Sequence, residues 1–371
     1  MSLEGELQVA LHLRAGRVAA VDITSTRPDV ASRLLQGRRS AEVQAAVPLL
    51  FSVCAGSQAT ASRLACAAAA GVTPDAAALA RARAALAEET VRETTWQVLL
   101  HQPRWLDEAP SPAATTAARA AQRWRWTGAA TADRSCEPAR TIAHAVFGCS
   151  AQDWLRLTTW PAVAAWAAAV AAPAARYLHG LAASAVDVAA GAHPSPAPPL
   201  LPTPTPGWLA SVAAAAAAEP AYTRRPHWQG HPAETGALAR LQGDPLLGSA
   251  ALPAPSRALA RHVARLRELA LLLEGRLQPG VGALSLAPGS GVGWADNARG
   301  LLVHHVQLDG DRVRLYRIVA PTEWNFHPQG TLAAALVGAP AADTHAARQL
   351  AQRLINSLDP CVSCRVEVTH A

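Results

Sequence analysis

The sequence predicts a mainly α-helical fold with small antiparallel β-hairpins near each end, an α+β class. Three observations carry this. Half of the 371 residues are apolar and much of that half is alanine, the residue that favours helices most and lets them pack closely. Residues 7–24 alternate apolar and polar about an Ala15-Gly16-Arg17 break, the pattern of a hairpin. A second pair of strand-like runs, 301–308 and 313–319, flanks Asp309-Gly310-Asp311, a tight-turn signal.

Between these ends the reading is helical. Arg27-Pro28-Asp29 opens a short helix that runs to about Leu35, where Gly37 ends it. Residues 41–70 are helical with an interruption near 51–56, and 76–100 form a further helix whose apolar side carries Leu86, Val91, Trp96, Val98 and Leu99. Pro103 stops it. Residues 109–121 read as a loop or connector. Helices follow at 139–147 and 151–183, the second broken or kinked at its prolines. Residues 191–206 hold seven prolines and read as an extended connector, not a folded element. Helices are expected again at 209–218, 235–241, 256–273 and 344–358. With no internal repeat, residues 1–371 are expected to form a single domain.

Composition excludes several functions. The net charge is +6, and all 33 basic residues are arginine. These are dispersed among acids with no aromatic-basic module, which argues against a nucleic-acid partner. The first residues lack a basic stretch followed by an apolar one, and the least charged helical run, 158–175, contains Pro161 and Pro173. No membrane association is expected, and the location is read as cytoplasmic. The six cysteines are then reduced thiols or metal ligands.

The chemistry centres on Asp359-Pro360-Cys361-Val362-Ser363-Cys364. Two thiols three positions apart can converge on one soft metal ion, and a proline beside them turns the chain. Taken alone the motif also fits a zinc knuckle, a redox pair or a buried core.

Five stretches together resemble the large subunit of [NiFe] hydrogenases. They are Leu3-Glu4-Gly5-Glu6-Leu7; Val53-Cys54-Ala55-Gly56-Ser57-Gln58 with the residues to Ser62; Arg225-Pro226-His227-Trp228-Gln229-Gly230-His231-Pro232 with residues 234–240; Ala298-Arg299-Gly300 with Val319-Ala320-Pro321-Thr322-Glu323-Trp324-Asn325; and 359–364. The resemblance runs the length of the chain and implies a large-subunit-like fold. In that family four cysteines hold nickel and iron, two from each Cys-x-x-Cys motif. Here the first nickel position is Phe51, so Cys54, Cys361 and Cys364 remain as metal ligands. The carry-over makes Cys54 and Cys364 the iron-contacting positions. Arg299, Pro321 and Thr322 stand where the family surrounds the iron diatomics. The family's histidine after the last cysteine is Glu367, and Gln58 lies near the place of the histidine after the first motif.

These departures resemble the hydrogenase-derived maturation proteins of the HupK or HoxV type. The resemblance implies a non-enzymatic scaffold that transiently holds an Fe(CN)2(CO) unit, without nickel. Its partners would be the immature large subunit of an uptake hydrogenase, a small HypC-type chaperone and the cofactor-assembly complex. A small hydrogenase-like nickel-iron enzyme and a zinc or redox Cys-x-x-Cys protein are the alternatives. Cys66, Cys136 and Cys149 read as structural. Glu4 resembles a proton-relay glutamate. His304 and His305 point to opposite faces of a strand and cannot share a metal. His370 is expected to fray, and the 11 tryptophans to anchor core and interfaces.

Overall fold

The structure, a computed structural model, describes residues 5–26, 30–51, 53–106, 108–126, 136–183, 197–248 and 257–370. Glu4, the Arg27-Pro28-Asp29 helix start and positions 191–196 of the proline-rich stretch lie outside the described residues.

The N-terminal hairpin forms as its alternation requires. β1 (Glu6–Arg14) and β2 (Arg17–Ser25) pair antiparallel about Ala15 and Gly16, both with positive φ. Leu7, Val9, Leu11 and Leu13 point inward and are buried against Phe326, Leu332, Leu336 and Ile355. A third strand, β7 (Ser363–His370), lies parallel to β1, with Leu7 opposite Cys364 and Leu13 opposite His370. The tail after the cysteines is thus ordered and does not fray at His370. Its exposed-and-half-buried alternation follows strand period, but the segment is short, and its partner is more than 300 positions away.

The second sheet is larger than the sequence reading allowed. β3 (Val281–Ala287), β4 (Ser290–Asn297), β5 (Gly300–Asp309) and β6 (Arg312–Val319) run antiparallel in that order. β3 and β4 were missed because they are rich in glycine and alanine, which weaken a strand signal. The structure shows why β4 needs them. A Cβ at Gly291 or Gly293 would run into the backbone of Ala65, Ala68 and Ala69, or of Ala61 and Ala65. Helix α3, introduced below, therefore lies directly on the sheet.

Helices fill the rest. α1 spans Val30–Leu35, α2 Ser40–Ala46, α3 Ala55–Ala69 and α4 Ala76–Trp96. The region expected to be a connector at 109–121 is instead helix α5, Pro112–Arg123. Ser111 accepts the Ala114 N–H at 3.1 Å, Pro112 occupies the first turn, and Ala114, Ala117, Ala120 and Ala121 face the core. A serine cap followed by proline is a helix start, which outweighs the loop signal of Ser-Pro. Next come α6 (Glu137–Phe147), α7 (Ala151–Leu155), α8 (Trp160–Ala169) and α9 (Pro173–Ala183). The prolines at 161 and 173 sit in first turns, so the helix expected at 151–183 is broken at its prolines into three.

In the described part of the proline-rich stretch, the Leu201 N–H donates to the Glu234 carbonyl at 2.8 Å and Leu201 is buried. This part is extended but pinned to the fold. α10 (Pro206–Ala218), α11 (Ala237–Arg240), α12 (Arg257–Leu273), α13 (Pro321–Asn325), α14 (Thr331–Leu336) and α15 (Thr344–Leu358) complete the order. α12 is buried along almost its whole length, including Arg261, His262, Arg265, Arg267 and Glu268. Among the described residues no helix is long and apolar enough to cross a membrane.

Candidate metal centre

Four pieces of chain meet at one place: the start of α3, the turn into β5, the start of α13, and the chain leaving α15. Cys54 is the residue before the first turn of α3 and is buried. Asp359 caps α15 with φ 50° and ψ 67°, a left-handed conformation uncommon outside glycine. The turn that aims Cys361 is made at Asp359, one residue before Pro360.

The thiols of Cys54 and Cys361 are in hydrogen-bond contact. That bond, then burial, pushes the Cys54 thiol well above its ordinary range; the nearby Cys361 and Glu89 charges act the same way, and Arg299 opposes them. The Thr322 hydroxyl lies 2.9 Å from Cys361 Sγ, and Pro321 sets the first turn of α13 just before it.

Arg299 lies between these groups and two acids. Its Nη1 is 3.5 Å from Glu93 Oε2 and its Nε 3.5 Å from Asp359 Oδ2. Burial disfavours its charge, but Asp359, Cys361, Glu93 and Cys54 outweigh burial and hold the guanidinium charged. Its buried Nε has no hydrogen-bond partner among the described residues. The Asp359 carboxylate at 3.5 Å neutralises its charge without making a hydrogen bond to it. Burial raises Glu93 against the pull of Arg299.

Behind Cys54 runs a buried chain of hydrogen bonds. Gln58 Nε2 donates to Cys54 Sγ at 3.8 Å, Gln58 Oε1 lies 2.9 Å from His304 Nε2, and His304 Nδ1 lies 2.7 Å from the Tyr316 hydroxyl. Burial pushes His304 down to about 3, so its ring is neutral. An amide oxygen can only accept, hence His304 carries its proton on Nε2 and accepts from Tyr316. His305, on the other face, lies against Ser290 at 3.1 Å, as strand alternation requires. Glu89 closes the start of α3. Its carboxylate accepts the Gly56 N–H at 2.8 Å and the Ser57 N–H at 3.2 Å, where a helix N-terminus favours negative charge.

The structure thus brings together Cys54, Cys361, Arg299, Pro321 and Thr322. Cys364 is placed on β7 beside Leu7, and burial, then the charge of Glu6, pushes its thiol up to about 12. Among the described residues no three Cys, His, Asp or Glu side chains form a group that could hold a metal ion. Cys66 is buried in α3, and Cys136 and Cys149 pack at the edge of the helical core.

Sequence reasoning missed Glu89, Glu93 and the His304–Tyr316 pair. For the two acids a signal existed. Positions 89 and 93 lie four apart and share one face of α4, and both acids are turned inward.

Comparison with known proteins decides the family. The chain is 33% identical to the hydrogenase expression/formation protein HoxV of Cupriavidus necator, over 97% of this chain and 96% of that one. The chain belongs to the hydrogenase expression/formation protein family. Other members it resembles are HupV of Azotobacter chroococcum, at 32% identity over the full length of both chains, and HupK of Rhizobium leguminosarum, at 31% over 99% and 97%. Residues 283–367 match the nickel-dependent hydrogenase family. The structure superposes on the Ni-Fe-Se hydrogenase of D. vulgaris Hildenborough with TM-score 0.52, covering 94% of each chain at 16% identity. This likeness shows the fold: a formation-family protein on a hydrogenase large-subunit scaffold.

Proposed function

We propose that this protein acts in hydrogenase maturation as a scaffold that takes up an Fe(CN)2(CO) unit and passes it to the immature large subunit of a [NiFe] hydrogenase. The observation that carries the reading is the pair of contacting thiols, Cys54 and Cys361, flanked by Arg299 and Thr322. Soft thiolates suit low-spin iron. Bound cyanide nitrogens accept hydrogen bonds, and the buried Arg299 Nε is a donor without an acceptor. Cys54 and Cys364 would supply the iron ligands, with Cys361 aiding capture or release. An incomplete thiolate set suits a carrier that must let go of its cargo. Partners in this reading are the immature large subunit, a small HypC-type chaperone and the assembly complex; nickel has no part in it.

The test is infrared spectroscopy with metal analysis on protein purified anaerobically from a host making active hydrogenase, beside Cys54→Ala and Cys364→Ala variants. Iron without nickel, with carbon monoxide and cyanide bands that vanish in both variants, is the expected result. Absence of those bands in the unmodified protein refutes iron carriage. Bound zinc without them favours a zinc site.

A further inference from the structure

Three guanidiniums meet beside the thiol centre. Arg261 and Arg265 lie one turn apart on α12, and Arg299 comes from the turn into β5. All three line a polar cavity of about 20 Å³, together with Glu234 and Asp359. That volume admits about one water-sized group.

The charges around this cavity do not balance. Glu234 is shared by Arg261, at 2.8 Å, and Arg257, at 3.3 Å. Arg299 has Glu93 and Asp359, each at 3.5 Å. Arg265 has no ion pair among the described residues. Its Nη1 donates to the Ser357 carbonyl at 3.0 Å, and its Nη2 lies 2.6 Å from His262 Nδ1, on a ring that burial keeps neutral. Burial weakens the hold of Arg265 on its charge; Asp359 supports that charge, and Arg261 and Arg299 repel it. Arg257, Arg261, Arg265 and Arg299 therefore face only Glu234, Asp359 and Glu93, which leaves one positive charge in surplus. Burial raises Glu93, so any proton it takes up widens the surplus.

The surplus selects the occupant. A water molecule would leave the charge uncompensated in the interior, where that is costly, and a cation would add to it. A carboxylate or phosphate group is larger than the space. We propose that this cavity binds a single monovalent anion of halide size against the Arg265 guanidinium. With that charge met, the Asp359 carboxylate stays with Arg299, and the left-handed turn that Asp359 makes ahead of Cys361 is held. The anion site stands apart from the thiols and does not depend on iron carriage.

The test is urea unfolding of the full chain at fixed ionic strength, with chloride replaced stepwise by gluconate, an anion too large for the cavity. The unfolding midpoint should rise with the logarithm of chloride concentration, as for any ligand that binds the folded state alone, and bromide should serve in place of chloride. Arg265→Met keeps the length of the side chain and removes its charge, and should abolish the dependence. Crystals of the unmodified protein soaked in bromide give a readout that holds even if the variant does not fold: an anomalous peak is expected in the cavity, against the Arg265 guanidinium. No chloride dependence overturns the proposal. So does an equal dependence in folded Arg265→Met, or a bromide-soaked crystal with water alone in the cavity.

Discussion

Replacing Gln58 by leucine tests the hydrogen-bond chain behind Cys54. Leucine matches the size of glutamine but neither accepts nor donates. Two bonds go: the long contact to Cys54 Sγ at 3.8 Å and the bond from His304 Nε2 at 2.9 Å. His304 is fully buried, so its N–H is left without a partner, at a cost of roughly 1–3 kcal/mol. The sulfur contact is long and adds well under that. Gln58→Leu should therefore destabilise by about 2 kcal/mol. With unfolding entropy near 2 cal/mol/K per residue, this lowers Tm by roughly 2–3 °C in a chain of this length, so urea denaturation is the better assay. His304→Leu strands Gln58 Oε1 as well as the Tyr316 hydroxyl. In the double variant only Tyr316 is stranded, and the double should cost about 4 kcal/mol less than the sum of the singles, since two stranded groups drop out. Additivity within about 0.5 kcal/mol would refute a connected chain.

Three further outcomes follow from the packing and charge. Arg261 Nε and Nη2 hold the buried Glu234 carboxylate at 2.8 and 2.9 Å; although burial opposes ionisation, Arg261 and Arg257 pull its pKa from 4.5 to about 2. A depressed acid stabilises above its unfolded pKa and loses that contribution as pH falls through its folded one. About 3 kcal/mol should disappear between roughly pH 4.5 and pH 2, and Glu234→Gln should cost a similar amount at pH 7 while flattening this acid limb in denaturation curves. Asp296 behaves oppositely: its pKa is raised, mainly by burial, from 3.8 to about 6, so the folded state binds the extra proton and stability falls as pH rises. Between pH 5 and 7.5 this group should remove about 1 kcal/mol, a decline that Asp296→Asn abolishes in the same assay. Gly293→Ala drives a methyl into the α3 backbone at Ala61 and Ala65 and should cost roughly 3 kcal/mol or more; Gly207→Ala meets open space and should be neutral or stabilising by roughly 0.5 kcal/mol in thermal melts.

The elements legible in the sequence were those whose signal is local. The β1–β2 alternation, the Asp-Gly turn between β5 and β6 and the amphipathic α15 state their own structure within a few residues. β4 was hidden because its glycines answer to a helix more than 200 positions earlier in the chain, and β7 because its partner is β1. α5 was misread for a different reason: Ser111-Pro112 is ambiguous until burial of the alanines beyond it is known. At the site, Cys54, Cys361, Arg299 and Thr322 were found through their motifs and do converge. The acids that hold Arg299 and the histidine that orients Gln58 belong to no motif; they are visible only once α4 and β5 have been brought against α3.

The parallel pairing of β7 with β1 has a consequence for synthesis. Cys54 and Cys361 are more than 300 positions apart, so at ribosomal speeds of about 5–20 residues per second the first thiol waits roughly 15–60 s for the second to be made. For all of that time the β1 edge that β7 will cover is open, with backbone donors and acceptors ready to pair with any passing strand. Cys54 by itself forms no thiol pair and Arg299 has yet to meet Asp359. The arrangement of Cys54, Cys361, Thr322, Arg299 and Asp359 comes into being in one late event, the docking of residues 359–370.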